Sequence, residues 1–303
     1  MKKLLLCFVG VLAFAVSGLA APLVLPSGSP IFFQYNNLEQ VSALNNLVVP
    51  AGYAPAAGTQ GNWGVLNVSS IQFGGVSVNH TDISGGPAFF SDDGPGGTQG
   101  MVTGIFYGIQ VQPGGTTATG GTLDLFWHDA GADTTLGATL AAEQACLAGG
   151  CGPNSTTVAA FASGTMLARI QFASGIINGN ATVTLSSSTN PTINTSGQAD
   201  GFGNVVPGSG PWAAPFNSDW FFVDPNGNGT FGETGETRDL RFSTFYNGLP
   251  AWNGTATANP GAVGLRSNDP ARVFTTAEPT SLLLLGLGLV GVGFISHRRV
   301  RVH

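Results

Sequence analysis

The chain has 303 residues, of which 46 are glycine, and only 9% of its residues are charged, with a formal net charge of −6. Lys2 and Lys3 are the only lysines. Without the two terminal segments, and counting Glu278, five arginines stand against sixteen acidic residues, a formal charge of −11. This charge argues against nucleic acid and anionic lipid surfaces as partners, and it permits divalent cations and neutral polymers.

The first twenty residues have the three parts of a secretory signal peptide. Lys2 and Lys3 give the positive start, residues 4–16 the apolar core, and residues 18–20 the small side chains before a cleavage site. Because the apolar core is short for a membrane span, we predict cleavage by signal peptidase after Ala20. An uncleaved signal anchor is the alternative.

The following 250 or so residues read as short β-strands separated by turns rich in Gly, Pro, Asn and Asp. Alternation is clearest at residues 102–111 and 123–128, which predict one face made of Ile105, Tyr107, Ile109 and Val111, and another made of Leu123, Leu125 and Trp127. Further strands are predicted at residues 31–35, 63–68, 70–73, 167–172, 181–185, 220–223, 240–245 and 272–275. Residues 136–147 alone look helical.

This pattern favours an all-β fold, either an antiparallel β-sandwich or a jelly-roll-like body. A β-solenoid is the alternative, but we find no fixed repeat in the sequence to support it. Residues 186–218 are poor in apolar periodicity, and they read as a long loop or as a boundary between two subdomains. We favour one exported domain over residues 21–275.

Two cysteines remain after the signal peptide is removed. Cys146 and Cys151 flank the glycine-rich residues 147–150, and in an oxidising compartment this spacing predicts a disulfide that pins a local turn. A metal-binding pair is the alternative, although no companion Cys or His lies nearby in the sequence.

Residues 224–230 resemble the first half of an EF-hand calcium loop. Asp224, Asn226 and Asn228 supply oxygen side chains at alternate positions and are followed by Gly229, which permits a sharp turn. The twelfth position, where a bidentate Glu is expected, is Gly235. Calcium is therefore the candidate cofactor, and a glycine- and asparagine-rich hairpin turn is the alternative.

The tryptophans offer a second candidate for ligand binding. Trp212 and Trp252 lie in segments rich in Pro, Gly and Asn, so we predict that they are the rings best placed to form an exposed platform for sugars. The alternative is that they belong to the core, as most aromatic residues of a β-sandwich do.

No motif in the sequence favours catalysis over a structural interpretation. The acidic pairs Asp92 with Asp93 and Asp129 with Asp133 read as solvated turn residues. His128 stands beside Asp129, but the chain has no Gly-x-Ser-x-Gly nucleophile motif. We therefore predict a protein that is not an enzyme.

The C-terminus combines a polar motif at residues 277–281, an apolar run at 282–295 and a basic tail with Arg298, Arg299 and Arg301. The run is roughly 21 Å long as a helix, against a hydrocarbon core of ~30 Å. We predict a short transmembrane helix over residues 282–296, within a sorting signal that covers 276–303. The arginines act as a basic stop signal that stays in the cytoplasm.

This arrangement resembles the PEP-CTERM sorting domain of Gram-negative bacteria, over about residues 277–301 only. Glu278 and Pro279 match the Glu-Pro core of the usual Val-Pro-Glu-Pro motif, and Ala277 stands in place of its first Pro. The resemblance implies recognition by exosortase, a membrane-embedded cysteine transpeptidase-like enzyme. It also implies release or transfer of the body to the envelope or extracellular matrix, often alongside exopolysaccharide. A plain single-span anchor without processing is the alternative.

Three functions stay open at this point, in order of preference. The first is a non-enzymatic cell-surface or matrix protein that is exported across the inner membrane and associates with exopolysaccharide or acts in adhesion. The second is a secreted carbohydrate-binding module that uses exposed aromatic rings, with calcium as its candidate cofactor. The third is a secreted hydrolase.

Overall fold

The computed structural model describes residues 22–51, 53–92, 99–129, 146 and 151–276. The predicted signal peptide, the predicted helix at 136–147 apart from Cys146, and the sorting signal after Thr276 lie outside this set. Within it, no helix has both the length and the apolar character needed to cross a membrane.

The described chain is built mainly of β-strands, joined by two short helices and two single 3-10 turns. The strands are β1 Pro30–Val41, β2 Leu47–Val48, β3 Thr59–Gln60, β4 Asn62–Phe73, β5 Gly75–Val76, β6 Ile83–Ser84, β7 Ala88–Ser91, β8 Met101–Val111, β9 Thr117–His128, β10 Thr165–Ala173, β11 Val183–Ser187, β12 Ser196–Val205, β13 Phe221–Phe222, β14 Thr237–Arg238, β15 Leu240–Gly248 and β16 Val263–Phe274. The helices are α1 Ser155–Phe161 and α2 Ala213–Phe216, and the 3-10 turns are Ala54–Ala56 and Pro250–Trp252.

Eight strands form one closed, barrel-like antiparallel sheet in the order β1-β16-β15-β12-β10-β9-β8-β4, with β4 pairing back onto β1. We call this ring the closed sheet. β11 lies beyond the end of β10 and, like β10, pairs with β9 on one side and β12 on the other. β7 pairs with the second half of β4. The predicted antiparallel all-β fold is confirmed. The predicted sandwich or jelly roll is wrong, because β1 pairs along its length with both β16 and β4 and so joins the strands into one ring.

The closed sheet has two ends, which we call the terminal pole and the distal pole. The terminal pole is where β1 begins and β16 ends, and the distal pole is where β1 ends at Val41 and β16 begins at Val263. At the terminal pole, the backbone N–H of Thr275 donates to Ser29 O at 2.8 Å, and Trp212 Nε1 donates to Leu23 O at 2.8 Å. Both ends of the described chain are therefore held at the same pole.

Apolar side chains fill the closed sheet near the terminal pole. Phe216 of α2 packs against Phe33 of β1 with ring centroids 5.9 Å apart, and Trp212 lies 5.6 Å from Phe216. The predicted shared face of β9 is confirmed, because Leu123, Leu125 and Trp127 all belong to this interior cluster. Helix α2 thus closes one end of the ring.

A bulge at a glycine in β8 changes which side chains of this strand point into the closed sheet and which point outside it. Ile105 and Tyr107 pack outside the closed sheet, whereas Ile109 joins Phe106 in the interior cluster. The pairing with β4 shifts register between Phe106 and Ile109, and Gly108, whose φ of +74° suits glycine, lies in this stretch, so side chains beyond it change face. The prediction of one shared face for Ile105, Tyr107, Ile109 and Val111 is therefore wrong.

Strand β12 lies within residues 186–218, which the sequence predicted to be a loop or a boundary. Its sequence lacks apolar alternation because glycines take positions that face neighbouring side chains. A Cβ on Gly203 would stand 2.6 Å from Ile170 Cγ2, and one on Gly201 would stand 2.4 Å from Leu185 Cδ2. The strand is recognised through its partners β10, β11 and β15, which no local pattern shows.

An ion pair between a half-buried arginine and a buried carboxylate lies on the outer face of the closed sheet. Asp124 of β9 is fully buried and accepts from Arg169 Nε at 2.7 Å and from Arg169 Nη2 at 2.9 Å. The hydroxyls of Tyr53 and Tyr107 also donate to its Oδ2. Burial, and next the Asp124 carboxylate, raise the pKa of both tyrosines, so they stay protonated as donors.

Replacing Arg169 by Met should lower the free energy of unfolding by about 3 kcal/mol, because it leaves the buried carboxylate of Asp124 without its cation. Urea unfolding measures this change. Arg266→Met, at an exposed position on β16, is the control and should change stability by less than about 0.5 kcal/mol. Equal losses in the two variants would contradict this role of the ion pair.

Candidate functional site

The closed sheet contains a cavity of about 140 Å³ towards its distal pole. The apolar wall includes Leu66, Phe106, Ile109, Leu123, Phe172, Leu185, Phe242 and Leu265, and the polar lining includes Asn37, Glu39, Asn62, Ser187, Asp200, Thr244 and Tyr246. An eight-stranded ring is just wide enough to be filled by side chains or to hold one small ligand. Here the terminal half is filled, and the distal half holds the cavity.

The polar end of the cavity is formed by β1 and β4. The interior positions of β1 alternate from Ile31 to Val41 and include Asn37 and Glu39, which are 4% and 8% exposed. Asn62 Nδ2 donates to Glu39 Oε2 at 2.7 Å. Asn37 Oδ1 is buried and has no hydrogen-bond partner among the described residues. Two neighbouring lining residues of the cavity therefore carry an unused acceptor and a buried carboxylate.

Sequence reasoning missed this site, and the reason lies in β1. The strand was predicted to stop at Tyr35 because the residues after it are polar, although the strand runs on to Val41. A period-two strand that continues with polar residues at inward positions is the signal that could have found the cavity. It is a weak signal, because only the closure of the sheet shows which face is inward.

The opposite wall of the cavity is polar where it approaches solvent. Tyr246 is buried, and its hydroxyl lies 2.8 Å from Ser187 Oγ and 2.7 Å from Thr189 Oγ1. Thr116 is exposed, and Ser186 and Pro191 are half-buried. Thr116 comes just before β9, Ser186 lies on β11 and Pro191 lies in the turn after it, so this side forms the mouth of the cavity.

The predicted calcium loop is a compact turn that follows β13. Asp224 is 2% exposed, and its Oδ1 accepts from Gly227 N at 2.7 Å while its Oδ2 accepts from Gly229 N at 3.0 Å. Asn226 Nδ2 donates to Glu236 Oε1 at 2.5 Å, and Asn228 Nδ2 donates to Glu233 Oε2 at 2.9 Å. The loop thus brings two glutamates to the two asparagines, although Gly235 occupies the expected Glu position.

Glu236 is a buried carboxylate of this loop that is only partly hydrogen-bonded. It is 6% exposed, and its Oε2 is buried without a hydrogen-bond partner among the described residues. Burial raises the pKa of its carboxyl, and the carboxylates of Glu233 and Asp224 raise it further. A cation placed among these oxygens would relieve both effects.

Both tryptophans of the predicted sugar platform are buried. Trp212 is 2% exposed at the terminal pole, and Trp252 is fully buried, 5.8 Å from the ring of Trp63. The Pro- and Gly-rich segments around them form short helical turns, and each ring packs into the interior of the protein. The expectation that these two rings are exposed is therefore wrong.

Cys146 and Cys151 are joined as a disulfide, as the sequence predicts. Cys146 is 2% exposed and belongs to the outer cluster that contains Trp63 and Trp252. Trp252 Nε1 donates to Cys151 O at 2.9 Å. The disulfide thus lies against the outside of the closed sheet.

Comparison with protein-family models, with curated proteins and with solved structures finds no match for this chain. Among the described residues, no three His, Cys, Asp or Glu side chains converge as a ready metal site. The cavity and the loop at residues 224–236 are therefore the candidate sites, since each holds a buried polar atom that a ligand could satisfy.

His128 is a third buried polar group, on the outer face of β9. Its Nε2 lies 2.8 Å from Thr103 Oγ1, and that hydroxyl donates to Phe161 O at 2.8 Å, so Nε2 carries the proton. Its Nδ1 has no partner among the described residues. Burial lowers the pKa of His128 to about 4, and the opposing effect of Asp129 is smaller. The imidazole is therefore neutral at pH 7 and serves packing.

Stability should fall as the pH drops from the ordinary histidine value of 6.5 towards about 4, because only the unfolded chain protonates His128 in this range. The contribution lost is about 3 kcal/mol. Thermal unfolding across this range should show a shallower decline for His128→Gln than for the parent. Parallel curves would mean that the ring titrates normally in the folded protein.

Proposed function

We propose that this chain is an exported, non-enzymatic protein of the cell surface or extracellular matrix. Its N-terminal segment directs it across the inner membrane of a Gram-negative bacterium, and an exosortase-type enzyme sorts it at Glu278 and Pro279. The observation that carries this proposal is the disulfide between Cys146 and Cys151, the two cysteines that follow the signal peptide. Disulfides persist in oxidising compartments and are rare in the bacterial cytoplasm.

The position of the chain ends supports sorting at the C-terminus. Thr276 N donates to Pro215 O at 2.8 Å, so the chain is held at the terminal pole until two residues before Glu278. The transmembrane helix predicted at 282–296 would then hold that pole next to the inner membrane before processing. The distal pole, with the mouth of the cavity, would face away from it.

Association with exopolysaccharide or a role in adhesion is the activity that we propose for the delivered body. Each strand of the closed sheet pairs on both sides, which protects strand edges from pairing with other chains. A lysine-free body with a formal charge of −11 would bind neutral polymers without attracting nucleic acid or anionic lipid.

Intact-mass measurement on protein from the native envelope and medium tests the export and sorting. We expect a chain that begins at Ala21, ends near residues 277–280 and gains two hydrogen atoms on reduction. Pro279→Ala should leave the C-terminal segment attached, whereas the control Thr280→Ala should be processed. A chain that ends at His303 in the parent protein would reject processing, and free thiols would remove the support from the disulfide.

The second candidate is calcium-dependent binding of carbohydrate, and the specific observation in its favour is the unsatisfied Glu236 Oε2. Calcium takes six to eight oxygen ligands from carboxylates, amide oxygens, backbone carbonyls and water. Asp224 would supply carboxylate oxygens, and Asn226 and Asn228 would supply amide oxygens after their two amides turn over, with Glu236 close to them. The bound cation would replace amide hydrogen bonds by direct coordination.

Calorimetric titration with Ca²⁺ tests this candidate. We expect saturable heat and a raised melting temperature, both lost in Glu236→Gln, whose neutral side chain keeps the hydrogen bond to Asn226. Asp92→Asn is the matched control and should keep the response, and Mg²⁺ should bind more weakly. A glycan array with and without calcium then tests the carbohydrate. Absence of heat at millimolar calcium would remove the cation from the proposal.

A further inference from the structure

We propose that the cavity inside the closed sheet binds a small neutral molecule that has an apolar body of about the size of benzene and one hydroxyl group. This is a ligand site separate from the sorting signal, and it does not depend on processing at Glu278. The proposal rests on the size of the cavity, on its apolar wall and on the buried acceptor at one end.

The volume sets the size of the occupant. A cavity of about 140 Å³ matches the ~150 Å³ that accommodates benzene in a protein interior. Leu66, Phe106 and Leu123 are each at most 8% exposed, and they surround the space with hydrocarbon together with Phe242. An apolar body would be favoured here over water, because water needs two to four polar partners.

The head group follows from the polar end. Asn37 Oδ1 is an acceptor without a partner among the described residues, so the ligand must bring a donor. Glu39, beside it, already accepts from Asn62 Nδ2 at 2.7 Å. Asn37 lines the cavity, and because its amide oxygen is neutral we infer a neutral donor; a hydroxyl can donate to Asn37 while its own oxygen still accepts.

The route of entry lies on the side of the mouth. β10 ends at Ala173 and β11 begins at Val183, although both fill the same place between β9 and β12. Phe172 and Leu185 flank this break, line the cavity and are half-buried. A small molecule can therefore approach where the side chains of two short strands meet, without opening the twelve-residue pairing of β1 with β16.

Three probes of equal ring size separate the chemical classes: phenol, toluene and benzylamine. Titrated into the exported protein, phenol should bind saturably and raise the melting temperature, and toluene should bind about tenfold more weakly because it leaves Asn37 unsatisfied. Equal binding of phenol and toluene would overturn the hydroxyl requirement. Tightest binding of benzylamine would overturn the neutral head group and point to Glu39.

Two variants locate the probe, with a matched control. Asn37→Leu should weaken phenol about tenfold and leave toluene within about twofold. Asn36→Leu, the same change at the neighbouring position on the opposite face of β1, should alter neither. Ala199→Leu adds volume to the cavity lining and should abolish binding of both probes. This variant still locates the probe if Asn37→Leu does not fold.

The proposal fails if phenol shows no saturable binding at millimolar concentration and no change in melting temperature. It also fails if phenol binds equally to the parent and to both cavity variants, because the probe would then occupy another place. Neither result bears on export or sorting, which the mass of the native protein tests separately.

Discussion

The pairing of β1 with two partners is the constraint on which the rest of the molecule depends. Twelve residues, from Pro30 to Val41, pair with β16 on one side, and nearly the same stretch pairs with β4 on the other. β16 comes from the far end of the described chain, so the sheet can close only when both ends are present. The interior cluster, the cavity and the shared pole of the two chain ends all follow from this closure.

Closure also explains why apolar and polar side chains share one interior. Along β1 the inward positions change from Ile31, Phe33 and Tyr35 to Asn37 and Glu39, and the lining of the ring changes with them. Near the terminal pole, Trp212 and Phe216, at the two ends of α2, complete the packing. No such element enters from the distal side among the described residues, and the polar positions of β1 border the space that is left.

Much of the strand content could be predicted from local patterns, because apolar side chains alternate in strands such as β9, where Leu123, Leu125 and Trp127 share the interior face. The closed architecture could not, since a period of two indicates a half-buried strand without saying which strand lies beside it. β12 escaped detection because Gly201 and Gly203 make room for Leu185 and Ile170 in place of burying side chains of their own. Trp212 and Trp252 were misplaced because proline and glycine around them suggested exposure. Residues 224–230 were predicted as a calcium loop from their spacing, and calcium binding stays a prediction, whereas the hydrogen bond of Glu236 to Asn226 comes only from the fold.

The fastening of both chain ends at the terminal pole has a mechanical consequence. Thr275 donates to Ser29, and β16 runs from there along the whole of β1. A polymer held at the distal pole, pulling against a tether at the C-terminus, would load these strands along their length. The hydrogen bonds between β1 and β16 would then be loaded in shear, so that all of them resist the force at the same time. In a peeling geometry they would instead break one after another. Tension between the two poles would therefore be carried by the twelve-residue pairing of β1 with β16.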